Sequence, residues 1–193
     1  LGIMTKRFRQ MAAMAAAGYV LSGCAAPEIA PHLRPLPKDT MMLLGKLGTS
    51  LSAPIFVRIF KEESELEIWK QGPDGRFYHV KTYPICNWSG DLGPKVAQGD
   101  RQSPEGFYTV SKGQMNPNSS FYLAFNLGYP NTFDKSHRRT GDFLMVHGKC
   151  RSAGCYAMTD ALMEEIYALA REAFAGGQDA IHVHAFPFRM TPE

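Results

Sequence analysis

FLMVHGKCRSAGCYAMTDALMEEIYALAREAFA, Phe143 to Ala175, reads as strand, loop and helix in succession. FLMVH (Phe143–His147) is short and wholly apolar up to its histidine, as a buried strand is. From Asp160, Leu162, Ile166, Leu169 and Ala173 recur at helical spacing, which predicts a helix over Asp160–Ala175. Thr159 or Asp160 is suited to cap its start, and Gly176-Gly177 to stop it. Nothing else in the chain predicts a long helix. Between strand and helix, one histidine and two cysteines fall within nine residues: His147, Cys150 and Cys155.

Upstream the periodicity changes from helical to alternating. Thr40–Leu47 suits a short helix ended by Gly48. PIFVRIF (Pro54–Phe60) alternates Ile55, Val57 and Ile59, and LEIWK (Leu66–Lys70) follows a charged turn, so the two predict paired strands. After the turn Gln71–Gly75 comes a third strand, Arg76–Ile85. Ser89–Pro104 is rich in Gly, Pro and Asp and predicts a long loop. Further strands are expected at Gly106–Val110, Phe121–Leu127 and Ala180–Phe188, with Gly113–Ser120 and Tyr129–Asp142 as irregular connections. Many strands, one main helix and long loops predict an α+β domain that is mostly β, arranged as a β-sandwich.

The N-terminus has another composition. Lys6, Arg7 and Arg9 precede an apolar run, Met11–Leu21, too short to span a bilayer and of the length of a signal-peptide core. Leu21-Ser22-Gly23-Cys24 resembles a bacterial lipobox, in which the Cys24 thiol receives diacylglycerol. Residues 1–23 are therefore expected to be a lipoprotein signal peptide, and 24–37, with four prolines between Ala25 and Pro37, a tether. Residues 38–193 are left as one catalytic-size domain. Ala25, rather than Asp, after the cysteine points to the outer membrane of a Gram-negative cell. The expected location is periplasmic, with membrane contact through the lipid anchor only. The formal charge of +3 comes from the leader, because the other 18 Lys and Arg match 18 Asp and Glu. A neutral domain lacks the basic footprint of a nucleic-acid partner.

With Cys24 lipidated, Cys86, Cys150 and Cys155 remain in an oxidising compartment, and an odd count leaves one thiol unpaired. Cys155 lies shortly before a helix N-terminus, whose dipole favours a thiolate, and His147 ends a strand that a short loop returns to it. The Gly148 carbonyl is available to orient the imidazole. Gly154 permits a tight turn beside Ser152 and an exposed N–H for an oxyanion. A zinc site built from His147, Cys150, Cys155 and the alternating His182 and His184 is less well supported, since Ala180–Met190 contains no acid to serve as base. No metal or cofactor is expected. A Cys86–Cys150 disulfide would leave Cys155 free, whereas a Cys150–Cys155 pair would silence it, and spacing does not decide between them.

HGKCRSAGC resembles the HG…SxGC motif of L,D-transpeptidases with the YkuD-type catalytic domain, in the shorter-motif, YafK-like branch. SELEIWK, YPICNWSGDLGPKVAQGDRQSPEGFYTV, NPNSSFYLAFNLGYPNTFDKSHRRTGDFLMVHG and SAGCYAMTD extend that resemblance over about Pro54–Phe188. It implies a mixed β-sandwich and a cysteine acyl transferase acting on peptidoglycan in the cell wall, without a cofactor. His147 is then the base, Cys155 the nucleophile and Gly148 the orienting carbonyl. The implied reaction attacks the diaminopimelate carbonyl of a stem peptide, releases terminal D-alanine, and passes the acyl group to an amine or to water. The chain departs from the wider family at Ala153, often a histidine there, and at Ala157, often an arginine. Donor carboxylates then fall to other cations, with Arg151, Lys149, Arg138 and Arg139 as candidates. Stem peptides are the expected partners, with an outer-membrane lipoprotein or another protein as a further acceptor. Two alternatives stand beside the transferase. One is a hydrolase of the same fold that trims stem peptides or releases peptidoglycan-linked lipoprotein. The other is a non-catalytic peptidoglycan-binding lipoprotein with a paired or inaccessible Cys155.

Overall fold

Alternating apolar side chains build the first sheet of the computed structural model, which describes residues 28–190. Strands β1 (Ile55–Phe60), β2 (Glu65–Gln71) and β3 (Phe77–Pro84) form an antiparallel meander. Later strands β4 (Gly106–Ser111) and β9 (Ala180–Phe186) complete five strands in the order β3-β2-β1-β9-β4, with β1 and β9 parallel. Ile55, Val57, Ile59, Leu66, Ile68, Ile181 and Val183 point from this sheet into the core. The second sheet has the order β5-β6-β7-β8, from β5 (Met115–Ser119), β6 (Tyr122–Asn126), β7 (Met145–His147) and β8 (Tyr156–Ala157). Its β7–β8 pair is parallel and its other pairs are antiparallel. A short helix α1 (Lys38–Lys46) leads in, α2 (Thr132–Ser136) sits in the β6–β7 connection, and α3 (Asp160–Ala175) packs chiefly on β6. The fold is α+β, mostly β, with two mixed sheets.

Helix α3 has the predicted bounds because its signals are local. The Thr159 hydroxyl accepts from the Leu162 amide at 3.4 Å. At the other end, a Cβ on Gly176 would lie 2.0 Å from the Ser52 carbonyl oxygen, so only glycine fits. Besides the two-residue strand β8, three elements differ from expectation. β5 is a strand inside the turn-rich Gly113–Ser120 stretch, and as an edge strand it tolerates Pro117. α2 folds inside the Tyr129–Asp142 connection on a capping box, Asn131 accepting from the Asp134 amide at 2.8 Å and Asp134 from the Asn131 amide at 3.1 Å. The strand expected at Phe143–His147 begins only at Met145, because Phe143 is exposed and has φ +53.

Long loops are held by buried cations. Lys61, with no exposed surface, donates to the carbonyls of Asp91, Gly93 and Ser103 and pairs with Glu105 at 2.9 Å, which pins the 89–105 loop to β1. The signal peptide, Cys24 and the start of the tether lie outside the described residues. From Glu28 the segment read as a tether is docked: Arg34 meets Glu164 at 2.9 Å, and Arg171 donates to the His32 carbonyl at 2.6 Å. No helix among the described residues is long and apolar enough to cross a membrane.

Candidate active site

His147 is the last residue of β7, between Ala124 of β6 and Ala157 of β8. It is 3% exposed, with its ring 4.6 Å from that of Phe121. Its Nδ1 lies 2.6 Å from the Gly148 carbonyl oxygen, which can only accept, so Nδ1 carries the proton and Nε2 is left with its lone pair. The Gly148 peptide is itself fixed, its N–H shared between the carbonyls of Phe121 at 3.0 Å and Leu123 at 3.2 Å. A Cβ at Gly148 would come within 2.6 Å of Asp160 Oδ1 and 3.0 Å of the Phe121 oxygen, so the position demands glycine. Burial lowers the imidazole pKa and the Gly148 bond opposes it, with a net fall. At neutral pH the ring is therefore an uncharged base.

The loop back to Cys155 is clamped along its length. Lys149 and Cys150 both have left-handed backbones, φ +62 and +50. Cys150 forms a disulfide with Cys86, Cα–Cα 5.3 Å, and Cys155 is the free cysteine of the described residues. The Cys86 and Asn87 amides donate to the Ala157 carbonyl, so the disulfide and the β8 edge share one anchor. The Cys155 carbonyl accepts from Ser152 Oγ at 2.6 Å and Ser103 Oγ at 2.9 Å. The Cys155 sulfur accepts from the Met145 N–H at 3.4 Å and points its proton at the Phe143 carbonyl, 3.7 Å away. It opens into a groove of about 350 Å³ lined by His147, Arg151, Phe121, Phe143, Asn116 and Ser119, among others.

Two expectations need correction. Gly154 does make a turn that needs glycine, with φ +128 and Leu144 Cδ1 3.3 Å from where a Cβ would sit, but its N–H donates to Ser152 Oγ at 3.2 Å and is not free for an oxyanion. Ser152 thus braces the turn, and the Cys155 amide, which has no acceptor among the described residues, is the donor left beside the sulfur. Nor does the helix dipole prepare a thiolate. The chain from Cys155 to the Thr159 cap runs through β8, roughly 13 Å of extended backbone at about 3.3 Å per residue, beyond the first turn over which the dipole acts. Burial dominates instead and pushes the thiol pKa up, against the Met145 N–H and the Lys95 charge. The pair rests as neutral thiol and neutral imidazole.

Of the candidate cations, Arg151 lines the groove, Lys149 reaches its rim at Ser120, and Arg138 and Arg139 are not part of its lining. Arg139 is committed to buried Asp134 at 2.8 Å, Arg138 is exposed at a φ of +58 just after α2, and Lys149 Nζ donates to the Ser120 carbonyl at 2.7 Å. The zinc set is not assembled either. Cys150 is oxidised, and His184 lies on β9 in the other sheet, 4.7 Å from the Phe56 ring and 4.6 Å from the Phe107 ring, with His182 two residues before it. Among the described residues no three His, Cys, Asp or Glu side chains gather as a metal site would require. Sequence reading missed Ser103 and Lys95, both in the long loop, because neither carries a local pattern that announces its burial.

Over residues 57–176 the sequence matches the L,D-transpeptidase catalytic domain family, YkuD. The chain belongs to that family. A relative, YafK of Escherichia coli strain K12, is 44% identical over 142 residues, covering 73% of this chain and 57% of the relative. YafK of strain O157:H7 matches to the same extent, so the chain spans little more than half the length of these relatives. Among solved structures, the helical cell shape determining protein Pgp2 of Campylobacter jejuni superposes with a TM-score of 0.55 at 21% identity, over 78% of this chain and 56% of that one. A point mutant of Pgp2 gives 0.55 at 20% identity over 83% and 57%. At that identity the likeness is one of fold. The clamped cysteine loop thus lies within an L,D-transpeptidase catalytic domain.

Proposed function

We propose that this L,D-transpeptidase domain is a cysteine acyl transferase that acts at diaminopimelate in peptidoglycan stem peptides. The observation that carries the reading is the division of labour among polar groups in one groove. His147 has its Nδ1 proton committed to Gly148 and its Nε2 lone pair available, and Cys155 is the cysteine that the disulfide leaves free. In the first half-reaction the Sγ proton passes to Nε2 as the sulfur attacks the diaminopimelate carbonyl. The C–S bond forms, the bond to D-alanine breaks, and the leaving amine takes its proton from the imidazolium. The Cys155 amide is the donor next to the developing oxyanion, and Arg151 is the groove cation suited to a donor carboxylate. In the second half-reaction an amine attacks the thioester, gives its proton to Nε2, and restores the thiol. Water in place of the amine gives the hydrolase.

The test is to incubate the protein with tetrapeptide muropeptides, with and without an amine acceptor, and to weigh the products. Released D-alanine and an acceptor-dependent cross-linked product support the transferase. Only hydrolysed peptide makes it a hydrolase, and unchanged muropeptide leaves the peptidoglycan-binding alternative. We further propose that the protein is a periplasmic outer-membrane lipoprotein anchored at Cys24, supported by the Leu21–Cys24 lipobox. Cys24→Ser is expected to move it from the membrane to the soluble fraction or leave an uncleaved precursor, and unchanged fractionation contradicts the anchor.

A further inference from the structure

An ion pair between buried Lys95 and exposed Asp100 has no part in the steps above. Lys95 is 4% exposed, and its Nζ donates to the Ala97 carbonyl at 2.8 Å and to the Asp100 carboxylate. Asp100 also accepts from the amides of Val96 and Ala97, each at 3.0 Å, so the pair is held rigidly at the turn of the long loop. The lysine stem passes where residue 141 has no side chain, since a Cβ on Gly141 would lie 2.8 Å from Lys95 Cε. Around it the Tyr129 hydroxyl donates to the Lys95 carbonyl at 3.1 Å, the Thr140 amide to the Val96 carbonyl at 3.1 Å, and the Gln98 amide to Thr140 Oγ1 at 3.0 Å. From Gly141 the chain runs directly to Phe143 and Met145, whose carbonyl and amide are the two backbone groups in contact with the Cys155 sulfur. The ion pair is thus locked to the segment that holds the sulfur.

We propose that Lys95 is a positioning residue of the reaction: its ammonium, balanced by Asp100, stabilises the thiolate that forms at Cys155. A buried lysine is costly and needs compensation, and here Asp100 supplies it. The Lys95 charge is one of the influences that oppose burial at the thiol. Other charged or titratable groups facing the sulfur are His147 from β7 and Arg151 from its own loop. The consequence for turnover rests on Cys155 being the nucleophile, as proposed above, but the effect on the thiol can be read without substrate.

The experiment measures iodoacetamide labelling of the peptide carrying Cys155 against pH, in the intact protein and in Lys95→Met, Lys95→Arg and Asp100→Asn. A nearby unit charge, at an effective dielectric between those of protein surface and water, changes ionisation by about three- to tenfold. Lys95→Met is expected to slow labelling at neutral pH by that factor and to shift the profile to higher pH. Asp100→Asn leaves the ammonium unopposed, and is expected to speed labelling and shift the profile the other way. Lys95→Arg should label like wild type. A purely structural tie predicts that both neutral variants move labelling in the same direction or leave it unchanged, and either result overturns the proposal. If Lys95→Met does not fold, the sign of the Asp100→Asn change decides alone, faster labelling supporting the proposal and equal or slower labelling overturning it. Opposite shifts in a protein that turns over no muropeptide would uphold the role of Lys95 and overturn the proposed function instead.

Discussion

His147→Ala is expected to lower muropeptide turnover by about 10²–10⁴-fold, the typical worth of a positioned general base. The imidazole is placed for that one task, with Nδ1 held by Gly148 and the ring fixed against Phe121. Stability should fall much less. The ring is buried but lies at a strand end between two alanines, so its loss opens a small space and leaves one carbonyl without its partner, about 1–3 kcal/mol by the usual cost of an unsatisfied group. Since both groups rest neutral, labelling of Cys155 by iodoacetamide should change far less than turnover does. The pH profile supplies a further check. A base must be unprotonated to act, and burial lowers the pKa of His147. Wild-type turnover should therefore persist below the ordinary imidazole range, near pH 6.5, and fall only as pH drops through the lowered value. In the alanine variant that acid limb should vanish. Turnover equal to wild type in a variant of normal melting temperature contradicts the assignment.

The second large effect concerns the Cys86–Cys150 bond. It closes a loop of 64 residues, and the chain-entropy account gives such a closure about 4 kcal/mol. Replacing both cysteines by serine is expected to lower stability by about that amount, or roughly 10 °C in melting temperature for a domain of this size. Activity should fall as well. Cys150 begins the turn that carries Ser152, Gly154 and Cys155, and the Cys86 amide shares the Ala157 carbonyl with that of Asn87. Equilibrium unfolding in denaturant checks the first part and turnover the second. Equal unfolding midpoints for the two proteins would show that the bond adds nothing to the fold.

Much of this architecture is legible where the physical cause is local. The alternation of Ile55, Val57 and Ile59 gives β1, and Thr159 with Gly176 bounds α3 to the residue. β8 is two residues long and β5 is polar with a proline at its centre, so neither carries a periodicity that could reveal it. The site divides along the same line. His147, Gly148 and Cys155 lie within nine residues and are visible as a motif. The Met145 amide and Ser103 bond to Cys155 from 10 and 52 positions away in the chain, where spacing carries no information. Proximity in sequence also misled. Cys155 is five residues from the first residue of α3, yet β8 intervenes and burial raises the thiol pKa. Arg138 and Arg139 precede the motif closely, yet neither lines the groove.

The central claim is a covalent bond between Cys155 and the acyl donor, and intact-protein mass spectrometry of a quenched reaction tests it most directly. Mixing the protein with a tetrapeptide muropeptide and no amine acceptor, then stopping in acid, should reveal a species heavier by the donor less D-alanine. Peptide mapping should place that mass on Cys155, as an adduct that hydroxylamine removes. Product that accumulates at the wild-type rate from a Cys155→Ala protein, with no adduct at any time point, would contradict the account.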